Sequence, residues 1–183
     1  MKQMTPTVRS LYRTREVFWF SLGAYALLTE EPSRGQLADY DVAIANNHLK
    51  VVSRSDTSPP EQTGYKIGFR GALDSGAARE VVERAFRQMI LTSYATTTEF
   101  VEHKKLQDAL TKEDWYSFAR HYRNAIAHNG RWNITAPKGL PTTWRNITIE
   151  ASFHSKPIDG FLGWFDGLQL CAVMINFVSQ LEE

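Results

Sequence analysis

Asp114-Trp115-Tyr116-Ser117-Phe118-Ala119-Arg120-His121-Tyr122-Arg123-Asn124-Ala125-Ile126-Ala127-His128-Asn129-Gly130 is the most strongly patterned stretch of the chain. At about 100° per residue, Trp115, Phe118, Ala119, Tyr122 and Ile126 gather on one side, so the segment reads as a helix with that side buried. Thr111-Lys112-Glu113-Asp114 before it is a capping-box pattern, and Asn129-Gly130 after it is a stop signal. Arg120, Asn124 and His128 follow one another at i, i+4 and i+8 on the opposite side. Asn124 lies one turn before His128, so its amide is expected to reach the imidazole. Arg123 and His128 are five positions apart, about 140° around a helix axis. They converge only if the Arg side chain bends across or the helix loosens at His128, which the stop signal permits.

The same period recurs on both sides. Thr5-Pro6 is an N-cap followed by a first-turn proline, and Leu11, Phe18, Leu22 and Tyr25 mark a helix over residues 6–30. Ser33 with Gln36 forms a second capping box, and Leu37, Ile44, His48 and Val51 predict a helix to about Arg54. From Ser55 to Leu73 the composition turns to Ser, Thr, Pro and Gly, which is loop chemistry. Val82, Phe86, Met89 and Ile90 mark a further helix, capped at Asp74 or Ser75 and bent near Thr96-Thr97-Thr98 before ending about Leu110. Arg131 to Thr135 and Trp144 to Ile149 have strand character, with Pro137 to Pro141 able to turn between them. Pro157 is expected to start a final helix carrying Phe161, Phe165, Leu168, Ala172 and Ile175. The prediction is an all-α fold of four to five helices packed as a bundle in a single domain, 1–183. It has a loop at about 55–73, a small β-hairpin at about 131–150 and a C-terminal helix at about 157–181.

Composition supports a globular chain: of 183 residues, 43% are hydrophobic and 22% charged. The formal net charge is +1, which argues against a protein that simply coats DNA. The one cysteine, Cys171, has no partner for an intramolecular disulfide, so a reducing cytoplasm is expected. No signal peptide is evident, the apolar run Val17 to Leu28 is too short to span a bilayer, and Phe161 to Val178 carries Asp166, Gln169 and Asn176. No membrane association is expected, and the Asn-Ile-Thr sequons at Asn133 and Asn146 are read as idle. The histidines lack metal-ligand spacing, so neither metal nor cofactor is expected. Gly68-Phe69-Arg70-Gly71 followed by Asp74-Ser75-Gly76 lacks the Gly-Lys-Ser/Thr ending of a phosphate loop and reads as linker and cap.

Charge is unevenly placed. Between Asp114 and Glu150 there is no acidic residue, while Arg120, Arg123, Arg131, Lys138 and Arg145 are basic, and His121 and His128 lie in the same window. A nearly neutral protein thus concentrates positive charge around one helix and its hairpin, which suits a phosphate-bearing ligand.

The string Arg123-Asn124-Ala125-Ile126-Ala127-His128-Asn129-Gly130 resembles the signature of the HEPN superfamily: an Arg, a polar residue, then a His after four intervening positions. In that family the motif lies on a late helix of an all-α bundle, and members usually form homodimers that bring two copies together in one cleft. Many are metal-independent endoribonucleases, often toxins or antiviral defence proteins. The match covers about eight residues plus the helical pattern over most of the chain. Gly130 stands where some family toxins carry a tyrosine that a partner nucleotidyltransferase modifies, which speaks against that form of control here.

The resemblance implies RNA transesterification, in which a ribose 2′-OH attacks the adjacent phosphorus to leave a 2′,3′-cyclic phosphate and a 5′-hydroxyl. His128 would move the proton, Arg123 would stabilise the phosphoryl oxygens, and Asn124 would orient His128 or the phosphate. Arg120, Arg131, Lys138 and Arg145 would hold the RNA backbone, and Trp132 or Trp144 would stack on an unpaired base. The implied partners are a second copy of the chain, an RNA substrate and an antitoxin protein. A catalytically inactive HEPN module that binds RNA or a nucleotide, or serves as a dimerising scaffold, is the alternative.

Overall fold

The computed structural model describes residues 4–30, 35–36, 40–45, 48–53, 65–135 and 139–182. These fall into two compact units, one drawn from 1–18 and 85–183 and the other from 19–84. The architecture is mostly helical with a small two-stranded antiparallel hairpin, as the periodicity predicts. Among the described residues no helix is long and apolar enough to cross a membrane.

The first unit is built on four helices: the start of α1 (Pro6–Thr29), most of α3 (Ala77–Lys104), α5 (Tyr116–Ala127) and α6 (Trp164–Leu181). The Thr5 hydroxyl accepts from the Val8 amide at 3.3 Å and so caps α1, the role its sequence assigns it. It also donates to the Glu182 carboxylate, fastening that helix start to the chain's C-terminal end. Phe86, Met89, Ile90, Ser93, Thr97 and Val101 form one buried stripe along α3. Contacts across the core are specific: Phe18 against Phe86 at 5.5 Å, Trp115 edge-on to Phe177 at 5.8 Å, and the Cys171 thiol donating to Ser93 Oγ at 3.3 Å. Burial holds that thiol protonated, with its pKa pushed up to about 11.

Helix α3 runs without a break through Thr96-Thr97-Thr98, where the sequence predicts a bend. Thr98 Oγ1 bonds back to the Tyr94 carbonyl at 3.0 Å, a bond that a continuous helix accommodates. The helix stops instead at Lys105, whose φ of 58° lets the Leu106 amide reach the Val101 carbonyl at 2.9 Å. The short α4 (Gln107–Leu110) follows, and the Thr111 hydroxyl donates to the Asp108 carbonyl at 3.3 Å rather than capping α5.

The hairpin is smaller and later than the predicted 131–150. Strands β4 (Thr142–Trp144) and β5 (Ile147–Ile149) pair around Arg145-Asn146, not around Pro137 to Pro141. Arg145 holds a left-handed φ of 55° to make that turn. The segment after α5 runs beside residues 154–157 instead: Arg131 bridges Pro157, the Trp132 amide donates to the Lys156 carbonyl at 3.0 Å, and the Ser155 amide donates to the Trp132 carbonyl at 2.8 Å. The cause is aromatic packing. Trp132 is 2% exposed and sits among Tyr122, Phe153 and Phe161, the last edge-on at 4.8 Å. Pro157 is therefore part of that bridge rather than the start of a helix over 157–181. The chain runs through a 3₁₀ turn at Ala151–Phe153, and α6 begins only at Trp164.

The second unit departs from the predicted helix ending near Arg54. Ser33 and Leu37 lie outside the described residues, and the chain beyond them forms β1 (Tyr40–Ala45) and β2 (His48–Ser53), paired antiparallel from Tyr40↔Ser53 to Ala45↔His48. Residues 65–68, within the expected loop, form β3 (Tyr65–Gly68), which pairs with the other edge of β1, and α2 (Phe69–Asp74) follows. Ile44 and Val51 satisfy a helical spacing, but Val42 with Ile44 and Leu49 with Val51 also alternate. The β-branched content at those positions favours the pleated alternative. The rest of the loop, 54–64, lies outside the described residues.

At Gly167, α6 packs directly against the Phe86 ring of α3. A β-carbon there would overlap the ring edge of Phe86. Alanine normally stabilises a helix interior by about 1 kcal/mol over glycine. Here Gly167→Ala is expected to destabilise by about 1–3 kcal/mol through overpacking. Thermal unfolding checks this, and an unchanged or raised Tm contradicts it.

Candidate nucleic-acid site at the end of helix α5

Helix α5 buries the side predicted for it, Trp115, Phe118, Ala119, Tyr122 and Ile126, and the core also takes in Ala125 and His121. Phe118 lies at 5.7 Å from Trp144 and 6.3 Å from Phe161, so the helix shares one aromatic cluster with the hairpin and the segment before α6. This packing fixes the rotation of α5 and leaves Arg120, Ala127 and His128 exposed, with Arg123 and Asn124 half-buried.

The helix loosens where the motif needs it to. Regular geometry ends at Ala127, and His128 takes φ −96° and ψ 49° while its amide still donates to the Asn124 carbonyl at 3.0 Å. Asn129 and Gly130 follow with φ of 56° and 72°. Two successive left-handed residues reverse the chain, and the second tolerates no ordinary side chain without strain. The reversal returns Asn133 to the helix end, where its amide nitrogen lies 3.0 Å from His128 Nε2. With that nitrogen donating, Nε2 accepts and the neutral ring carries its proton on Nδ1.

The two motif side chains have separate partners. Arg123 Nη1 donates to Asn124 Oδ1 at 3.2 Å, so Asn124 serves the guanidinium rather than the imidazole, where the helical spacing had placed it. The Nε–H of Arg123 is buried and has no acceptor among the described residues. A buried donor without an acceptor carries a desolvation cost of about 1–3 kcal/mol, which an anionic oxygen beside it would relieve.

Two residues that sequence reasoning missed complete the surroundings. Asn133 was visible only as part of an idle sequon; its place follows from the reversal at Gly130. Tyr94, from α3, stacks its ring nearly parallel to Tyr116, with centroids 6.3 Å apart. Its hydroxyl is held well above the ordinary tyrosine range, mainly by burial and then by the Tyr116 hydroxyl beside it. The guanidiniums of Arg120 and Arg123 pull the other way without cancelling this. No local pattern announces a partner 22 positions from Tyr116 on another helix.

The remaining predicted basic residues are spread out. Arg131 is exposed and donates from Nη1 to the Ser155 carbonyl at 2.9 Å. Arg145 pairs loosely with Asp166 at 3.7 Å and lies over the rings of Trp144 and Phe165. Lys138 lies outside the described residues. Trp132 and Trp144, expected to stack on a base, are 2% and 7% exposed and spend their ring faces on the aromatic cluster. Among the described residues no group of three or more His, Cys, Asp or Glu is placed to hold a metal ion.

Asn133→Ala is expected to remove the bias at Nε2 and let the His128 ring populate both neutral tautomers. Imidazole ¹⁵N shifts measured above the titration range check this, and an unchanged tautomer ratio contradicts it. Comparison with protein-family models, with curated proteins and with solved structures finds no match to this chain.

Proposed function

We propose that this chain is a metal-independent endoribonuclease of HEPN type that acts as a homodimer. It cleaves RNA by 2′-OH transesterification, with His128 as general acid/base and Arg123 stabilising the phosphoryl transition state. The observation that carries the reading is that the end of α5 holds a guanidinium and an imidazole, each fixed by its own asparagine. A half-buried guanidinium has its Nη1 tethered to Asn124, and its buried Nε–H lacks an acceptor among the described residues. An exposed imidazole sits at the helix terminus, oriented by Asn133. No carboxylate occurs between Asp114 and Glu150 to neutralise them in sequence.

The roles follow from chemistry. A neutral imidazole removes a proton from the ribose 2′-OH, and its protonated counterpart from the second copy delivers one to the leaving 5′-oxygen. As charge builds on the non-bridging oxygens, Arg123 supplies planar paired donors, and its tether to Asn124 reduces the reorganisation needed. Arg120, Arg131, Lys138 and Arg145 take the RNA backbone in this reading. Arg145 must then release Asp166, a small obstacle because exposed ion pairs contribute only about 0–1 kcal/mol. Toxin or antiviral action, with an antitoxin partner, is the biological setting that the resemblance suggests.

Single-stranded RNA incubated with purified protein in EDTA is expected to yield 2′,3′-cyclic phosphate ends. His128→Ala should lose about 10²–10⁴-fold in rate and Arg123→Ala about 10²–10³-fold. Equal cleavage by wild type and His128→Ala means a contaminating nuclease and ends the catalytic reading. RNA binding without cleavage favours the inactive module. Ala127 is exposed on the motif helix, so Ala127→Trp is expected to shift the protein toward monomer in light scattering and to abolish cleavage. A wild-type protein that stays monomeric at high concentration contradicts the dimer.

A further inference from the structure

Tyr116, Arg120, Arg123 with Asn124, and Ala127 recur one turn apart on α5 and so lie along one face. Tyr94 approaches this face from α3. Its ring is within 11° of parallel to that of Tyr116, at a centroid distance of 6.3 Å. Tyr94, stacked on Tyr116, thus lies beside the face of α5 that carries Arg120 and Arg123, and both guanidiniums act to lower the pKa of its hydroxyl. Two guanidiniums and a phenol, all donors of phosphate-binding type, are drawn from two helices to one face.

We propose that Tyr94 and Arg120 form a second phosphate subsite, which takes the phosphate of single-stranded RNA adjacent to the one held at Arg123. This rests on the ribonuclease reading, which already sets Arg120 on the RNA backbone, and it adds Tyr94 and a defined position along the strand. Spacing supports it. Arg120 and Arg123–Asn124 are separated by one helical turn, about 5.4 Å, comparable to the step between neighbouring phosphates on an extended strand. Chemistry supports it as well. Arg offers a planar fork to phosphate oxygens, and exposed Arg120 is free to swing while half-buried Tyr94 is not. The Tyr94 hydroxyl is kept protonated by burial and by Tyr116, so an arriving anion meets a neutral donor rather than a phenolate. Of the two acids just before this face, Glu113 and Asp114, Glu113 is engaged by Trp115 Nε1 at 3.0 Å.

The test uses full-length protein and two RNA probes. The first is a fluorescein-labelled 2′-O-methyl pentanucleotide, which cannot be cleaved, titrated by anisotropy at several salt concentrations. Arg120→Gln is expected to weaken binding about tenfold and to lower the slope of log K against log salt by about 0.7, one phosphate contact on a single strand. Tyr94→Phe, which removes only the hydroxyl, should weaken binding threefold or more with the slope retained. The second probe is a pair of cleavable substrates, a dinucleoside monophosphate and a trinucleotide carrying one additional phosphate. Both variants should lose about tenfold more kcat/KM on the trinucleotide than on the dinucleoside monophosphate, chiefly through KM. Wild-type affinity and slope in both variants, or equal losses on the two substrates, overturn the subsite. Binding that depends on Tyr94 and Arg120 in a protein that cleaves neither substrate leaves the subsite standing and removes the catalytic reading instead.

Discussion

The aromatic cluster of Phe118, Tyr122, Trp132, Trp144, Phe153 and Phe161 is the constraint on which the candidate site depends. It joins α5 to the hairpin and to the segment before α6, and its rings meet at centroid distances of 4.8–6.3 Å. Packing six large rings together, four of them buried, supplies the apolar contact that a short helix of 12 residues cannot provide for itself. It also determines which way α5 faces. With Phe118 and Tyr122 turned inward, Arg120, Arg123, Asn124 and His128 have no choice but the other side. Trp132, drawn into the same cluster, pulls the chain back past the helix terminus and carries Asn133 to His128.

The reversal between His128 and Trp132 is the second element of that arrangement. Gly130 is buried, with φ 72°, and its carbonyl accepts from the Ile158 amide at 3.0 Å. Asn133, brought back by this reversal, fixes which nitrogen of the neutral His128 ring holds the proton.

Electrostatics look different in space than along the chain. The acid-free window from 115 to 149 reads as uninterrupted positive charge, but α6 brings Asp166 to Arg145. The Ser155 carbonyl engages Arg131. Asp159, just beyond the window, goes to Arg87 at 2.8 Å instead. Among the described residues, no ion pair is seen on the α5 face carrying Arg120 and Arg123, beside which Tyr94 stacks on Tyr116. The positive character is thereby focused on one helix face rather than spread over the hairpin.

By itself the sequence determined the four long helices and the buried side of α5, because a 3.6-residue apolar period is local and bulky residues cannot leave their stripe without losing the core. It also determined where α5 ends, since Asn129-Gly130 adopts left-handed angles that few other pairs accept. Residues 40–53 were decided by tertiary pairing: their apolar positions satisfy both helical and alternating periods, and only β3 meeting β1 across the intervening residues settles the choice. The same holds for Trp132 and Trp144, whose exposure depends on where Phe118 and Phe161 lie, and for Tyr94 and Asn133. Side chains on different segments become neighbours only when packing closes the distance, and no spacing along one strand of sequence encodes that.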